Sequence, residues 1–375
     1  MNSNYKLGKV EAIFAISIIM VNRIIMNLPY SILETTGTGS IINLIYIGII
    51  GLMIVLLVNK LFKIFSNSDI IDISEYLGGK IFKIVISLIF IYLYMLSLFT
   101  TVLDFSNLLK IIYFHHSPII FIILFFILAL LISNILGLRS IAKTISLIVP
   151  FTIASILFTF FAVYDSFSID QYTPILGDGY NSVFGKGLTN LFSFSIILFF
   201  FFFKPLLKNC YDFEKVTVSS FILSWILLFL TIISLLTVFP VTNNSSNINF
   251  LYSIARKINL GDFLQRLDAL FILLWILCVF SYLSIITFII NTTLKKVTSA
   301  SNRSMFSYLV AITVIGLCLL PINIAEIKFL QNKVYKYSVL VIFSISFIIL
   351  VCANLKFRYK QKAGGKKWRK RYWLQ

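Results

Sequence analysis

Arg23 lies inside an apolar run, VNRIIMNLPY, with Asn22 beside it and Asn27 and Pro29 close behind. A guanidinium at the centre of a membrane-crossing helix costs about 2.5–3.5 kcal/mol on insertion scales. It must therefore face the protein interior and meet a partner. Pro29 lacks a backbone donor and disfavours helix at the residue before it. Together these residues make a polar, breakable helix centre. The amides of Asn22 and Asn27 can hydrogen-bond a small ligand, and Arg23 can receive a carboxylate. The competing reading is a structural ion pair, or an arginine snorkelling to the membrane surface.

Other groups with chemistry are sparse. Asp104 is the acid of the third apolar run, a candidate partner for Arg23 or a helix-end charge. Tyr92 and Tyr94, in the same run, either aim hydroxyls into a cavity or pack. In the sixth run, SFSIILFFFFF, Ser193 and Ser195 supply the polar groups. Phe199 opens a stretch of phenylalanines there, read as lipid-facing or packing surface. Arg266 and Asp268 precede Trp275; this reads as a helix-start ion cluster, with the acid favoured by the helix dipole, and an interfacial aromatic. His115 and His116 are adjacent, so they point apart and make a poor metal site. Cys210, Cys278, Cys318 and Cys352 form no CxxC or Cys/His cluster. No metal, disulfide or cofactor is expected. Without a Ser/His/Asp arrangement, HExxH or P-loop, no enzyme is expected either.

The elements that must position these residues follow from composition. The chain has 375 residues, 59% hydrophobic and 12% charged, with a mean hydropathy of +0.98. Soluble domains are about 45–50% apolar and about 25% charged. A soluble enzyme, a disordered chain and a secreted disulfide scaffold are excluded. An all-α polytopic membrane protein remains. Ten apolar segments can be marked, roughly 10–32, 41–62, 84–106, 118–137, 145–164, 188–207, 217–239, 265–290, 306–322 and 336–355. The third and eighth have room to extend further.

The net charge of +18 is read by position. Lys and Arg crowd the even-numbered connections and the tail, which places both termini on the cytoplasmic side. No separate basic domain exists to read nucleic acid. The tail 356–375, KFRYKQKAGGKKWRKRYWLQ, is an anchor for an anionic leaflet or a docking site for a cytoplasmic partner. The loop 63–83 should hold a short helix through Ile70, Ile71, Ile73 and Leu77, stopped by Gly78-Gly79. NINFLYSIARKINLGDF, in the stretch 240–264, should form a short interfacial helix.

Ten spans split into five plus five, about 10–164 and about 188–355, in opposite orientation. Transporters of that plan bind ligand near the midplane, where the first helix of each half is interrupted. Span 1 has the required centre. Span 6 has Gly185, Gly187 and Pro205 only near its ends, and nothing in its middle that predicts a break.

Three segments together resemble a known family. They are QRLDALFILLWILCVFSYLS in span 8, Leu28-Pro29, and PILGDGYNSVFGKGL at 174–188. They are similar to signatures of the B subunits of Ger-type nutrient germinant receptors of endospore-forming bacteria. The chain departs from that pattern at Asn22-Arg23, where the family usually carries small residues. The resemblance implies a LeuT-type fold of the amino acid–polyamine–organocation superfamily. It implies sensing of an amino-acid-like nutrient in the spore inner membrane or cell membrane. It also implies two partners, a germinant receptor A subunit and a lipoprotein C subunit. On this reading the ligand sits between spans 1, 3, 6 and 8, against Asn22, Arg23, Asn27, Tyr94, Ser193, Ser195 and Phe199. Pro29, Asp104, Arg266, Asp268 and Trp275 are then structural or gating. A secondary amino-acid permease of the same fold is the alternative.

Overall fold

A computed structural model describes residues 5–26, 28–162, 172–238, 250–257, 267–298 and 303–364. Its α-helices are α1 Lys9–Met26, α2 Leu28–Thr36, α3 Ser40–Phe62, α4 Ile70–Ile112, α5 Ile119–Leu136, α6 Leu138–Ala162 and α7 Ile196–Phe203. They continue with α8 Phe213–Val238, α9 Phe250–Lys257, α10 Leu267–Thr298, α11 Arg303–Cys318, α12 Ile324–Phe329 and α13 Lys336–Gly364. Among the described residues, extended pairing is confined to one parallel bridge between Leu7 and Leu207.

The protein is an all-α polytopic membrane protein. Among the described residues, eight helical stretches are long and apolar enough to cross a membrane. Apolar side chains such as Met53, Phe125, Leu128, Phe161 and Ile312 stand exposed around the outside. That surface suits hydrocarbon, where every backbone group must be bonded internally and helices are a natural solution. Two of the ten expected spans fall outside the eight. The first, α1, carries Lys9, Glu11 and Arg23 in its 18 residues. The ninth, α11, has only 16 residues.

α1 runs through the middle of the bundle and packs against α8, α6 and α10. Its residues from Ala15 to Met26 are all buried. Of the expected first span of 10–32, the described residues on either side of Asn27 are helical, and Pro29 lies within α2. The expected helix before Gly78-Gly79 is present. Asp69 caps it, accepting from the N–H groups of Ile71 at 3.1 Å and Asp72 at 3.0 Å. The kink falls at Gly79, whose φ of 75° is one that side-chain-bearing residues avoid. Past the kink, α4 continues to Ile112, and α10 likewise extends to Thr298. α13 also runs beyond the expected end at 355 to Gly364. The end of the basic tail, 365–375, lies outside the described residues.

α9 forms where the interfacial helix was expected, with Arg256 exposed and its apolar face turned to the bundle. Leu251, Tyr252, Ile254 and Ala255 are buried against α8 and α10. The phenylalanines 199–203 are all buried as well, so they pack rather than face lipid.

The bundle face that holds the chain N-terminus is laced by specific bonds. Leu7 N–H donates to Leu206 O at 2.8 Å, and Lys208 N–H donates to Leu7 O at 2.9 Å. Lys204 donates to the terminal carbonyl of α3 at Phe62, at 2.5 Å. Lys356 donates to Tyr76 O at 2.9 Å and Leu77 O at 3.0 Å, closing the end of the short helix before the Gly79 kink. Lys296 bridges Asp69 and Asp72, each at 2.6 Å. Burial pushes the Asp69 carboxyl up to about 6, against the pull of the Lys296 ammonium.

Lys296→Ala leaves Asp69 buried without its counter-charge. At about pH 8 this should cost about 2–3 kcal/mol and lower the apparent melting temperature in detergent. Since the folded-state value of Asp69 lies above that of a free carboxyl, protonation favours the folded state. The neutral acid needs no cation, and without Lys296 it takes up its proton at higher pH still, so the penalty should shrink as pH falls toward about 6. Melting curves of both proteins at about pH 5 and about pH 8 check this; an equal loss at both values would count against it.

Candidate functional site

Among the described residues one interruption falls inside a span. It lies in the sixth span, where the sequence suggested none. There a 3-10 helix, Lys186–Ser193, gives way at Phe194 (φ −74°, ψ 58°) before α7 begins at Ile196. Phe194 N–H donates to Leu191 O at 3.1 Å, and Ile197 N–H donates to Phe194 O at 3.2 Å, so the chain turns tightly across the break.

Tertiary anchors supply the cause. Asn190 donates to Thr35 Oγ1 at 2.9 Å and to Asn43 Oδ1 at 3.1 Å, and accepts from Lys336 Nζ at 2.9 Å. Asn43 donates to Val183 O at 2.7 Å. Gly187 lies so close that a Cβ there would stand 2.3 Å from Asn43 Nδ2. These bonds fix the 3-10 segment against α2 and α3, and helix propensity yields to them.

α1 packs against α7, and several polar atoms on these helices and their neighbours are unusual. Most hydroxyls in the spans bond back to their own helix, as Thr100, Thr152 and Thr231 do to the carbonyl four residues before. Asn22 does not follow suit. It is fully buried, and neither its amide nitrogen nor its amide oxygen has a partner. Tyr94, Ser195 and Thr287 are buried with unpartnered hydroxyls too. The Tyr94 ring lies 5.0 Å from that of Phe199 and 5.7 Å from that of Phe202. Tyr282 meets Ser97 on α4 at 2.5 Å between oxygens. An unsatisfied buried polar group costs about 1–3 kcal/mol. Ser195 sits at the break in the sixth span and Tyr94 packs on Phe199 just beyond it, an arrangement that suits a polar guest.

Arg23 is 92% buried, being 8% exposed. Its guanidinium carbon lies 4.6 Å from the centre of the Tyr335 ring, a cation–π contact, and its Nε has no acceptor. The expected pairing with Asp104 is not made. Gln331 stands at Asp104 instead, donating Nε2 to its carboxylate at 3.2 Å and to Thr100 O at 3.3 Å. Trp275 is 1% exposed and stacks on Phe271, so it is a core residue and not an interfacial one. Asp268 is buried and accepts from the Tyr252 hydroxyl of α9 at 3.4 Å. Tyr92, at 57% exposed, faces outward and leaves the site to Tyr94. Asn27, Arg266 and the side chain of Ser193 lie outside the described residues.

Thr287, Gln331, Tyr335 and Lys336 were missed. The tenth span was drawn from 336, so Gln331 and Tyr335 fell into a loop. They occupy a π-helical turn, Leu330–Tyr335, that carries the helical course into α13. Their one-turn spacing, 331 and 335, was the available signal.

A cavity of about 280 Å³ between α5, α6 and α10 is lined by Ser133, Ser140, Thr144, Ser281 and Ser284 among apolar groups. It does not have the same character. Ser133 donates to Ser284 Oγ at 2.7 Å, and Ser281 and Ser284 bond back to their own helix. Its hydroxyls with recorded bonds are already occupied, unlike those of Tyr94, Ser195 and Thr287.

A broken sixth span beside buried, unpartnered polar groups, in a bundle built for lipid, fits a permease-like membrane protein. A profile of the spore germination protein family matches residues 6–327, and the chain belongs to that family. Spore germination protein XB of Bacillus anthracis is 26% identical over 220 residues, which cover 57% of this chain and 60% of that protein. The alignment thus spans less than two thirds of that relative.

Asn22→Leu replaces an unpartnered amide with an apolar group of similar size. If the site is built for a guest, the variant without ligand should melt no lower than the parent, and by about 1 kcal/mol more stably. A clear loss in differential scanning fluorimetry would mean that the Asn22 amide holds the empty fold together.

Proposed function

We propose that this chain is the nutrient-sensing B subunit of a spore germination receptor. A small amino-acid-like molecule binds near mid-depth, between α1, α4, α7 and α10. The carrying observation is the fully buried Asn22 with both amide atoms unpartnered, on the central helix α1 that packs against α7 of the broken sixth span. Asn22, Ser195 and Thr287 offer hydrogen bonds, Tyr94 and Phe199 offer an aromatic wall, and Asn27 and Ser193 lie next to them in sequence. Arg23 stands at the rim. Family membership supports the link to germination. Both termini lie in the cytoplasm, the membrane is the spore inner membrane or cell membrane, and a LeuT-type repeat relates the halves. An A subunit and a lipoprotein C subunit complete the receptor. The nutrient acts by favouring one conformer, since a ligand with equal affinity for both shifts nothing.

The purified chain should be screened by thermal stability against amino acids, nucleosides and sugars. An amino acid should raise the melting temperature, and Asn22→Leu should weaken that ligand by about tenfold or more, the loss expected for one or two hydrogen bonds. Spores carrying the variant should need correspondingly more nutrient to germinate. Uptake of labelled amino acid into vesicles holding this chain alone would make it a secondary permease. No shift with any nutrient would remove the proposal.

A further inference from the structure

Arg23 and Lys336 line one small cavity together with Ser31, Gln331, Asn332 and Tyr335. Both cations are 8% exposed. Among the described residues, neither makes an ion pair. Asp104 is withdrawn behind Gln331, whose amide nitrogen it holds. Glu34, the acid whose field reaches Lys336, is itself exposed to solvent. Lys336 uses one of its three donors on Asn190, and Arg23 Nε has no acceptor.

Two buried like charges around one void repel each other and each has lost its water. An arginine cannot escape by releasing its proton. The arrangement is costly unless something negative sits between the two. We propose that this cavity is an anion site, in which Arg23 and Lys336 together hold one singly charged group of halide or carboxylate size. The cavity is small, with about 10 Å³ of room for the centre of a water-sized group, which suits one small anion. The charge has two sources, a free halide or the carboxylate end of the nutrient. The second rests on the nutrient reading above, and the first does not.

Melting temperatures of the purified chain separate them. The protein is titrated with sodium chloride or bromide against sodium methanesulfonate at constant ionic strength and without nutrient. A saturable upward shift with halide identifies a free anion. In methanesulfonate alone, a stabilising amino acid is compared with the amine that lacks its carboxylate. A shift with the acid and none with the amine identifies the nutrient carboxylate. In either case Arg23→Gln and Lys336→Gln should each weaken the effect by about tenfold or more, as loss of a charge-assisted contact does. Arg23→Lys, which keeps the charge, should retain most of it. Should Arg23→Gln fail to fold, Lys336→Gln carries the test. Equal melting in all salts, with acid and amine alike, overturns the site. So does a halide shift that both glutamine variants preserve. A halide shift in a protein that answers no nutrient upholds the anion site and removes the nutrient reading. A nutrient response indifferent to anion and carboxylate does the reverse.

Discussion

Within hydrocarbon, a polar atom that finds no partner in the protein finds none at all. That constraint orders this molecule. Threonines and serines along the spans turn back onto their own carbonyls, and asparagines such as Asn134 and Asn354 bridge neighbouring helices. Against that background the exceptions stand out. Asn22, Tyr94, Ser195, Thr287 and the guanidinium of Arg23 are among those that keep open valences in a buried place. Ser195 lies at the break in the sixth span, and Tyr94 packs on Phe199 just beyond it. On the proposed function these open valences have one physical reason, since a chain that binds a polar guest in an apolar medium must hold donors and acceptors in reserve.

Much of this was legible in the sequence, residue by residue. Apolar run length and charge gave an all-α polytopic bundle because lipid permits little else. Gly78-Gly79 marked the stop of the short helix because only glycine sits easily at the positive φ found there. Arg23 drew attention because a mid-run charge is expensive wherever it lies. The break at Phe194 was invisible for a corresponding reason. It comes from Asn190, Asn43 and Lys336 holding the segment from outside, and no residue within SFSIILFFFFF encodes it. Tyr335 was missed as the partner of Arg23 because a π-helical turn carries it into the bundle. Asp104 was favoured because opposite charge is easier to read than an aromatic face.

The two faces of the bundle are held by different means. On the face with the N-terminus, lysines cap helix ends: Lys204 on α3, Lys356 on the short helix before Gly79, and Lys296 against the carboxylates at the start of α4. On the opposite face, the segment 172–193 lies over α2 and α3. Thr38 reaches Pro174, and Gly177 lies so near the backbone of Thr36 that a side chain there would collide. One face is fastened mainly by lysines, the other mainly by neutral amides and close backbone contact, with Lys336 the cation among them. Ionic strength and pH act on the first far more than on the second.

The bridge between Leu7 and Leu207 joins the stretch leading into α1 to the stretch leaving α7. Two backbone hydrogen bonds tie the helices together there, so a tilt of one pulls on the other, like two oars lashed at the handle. On the proposed function, a rearrangement in the middle of the bundle would reach that face as a single stroke.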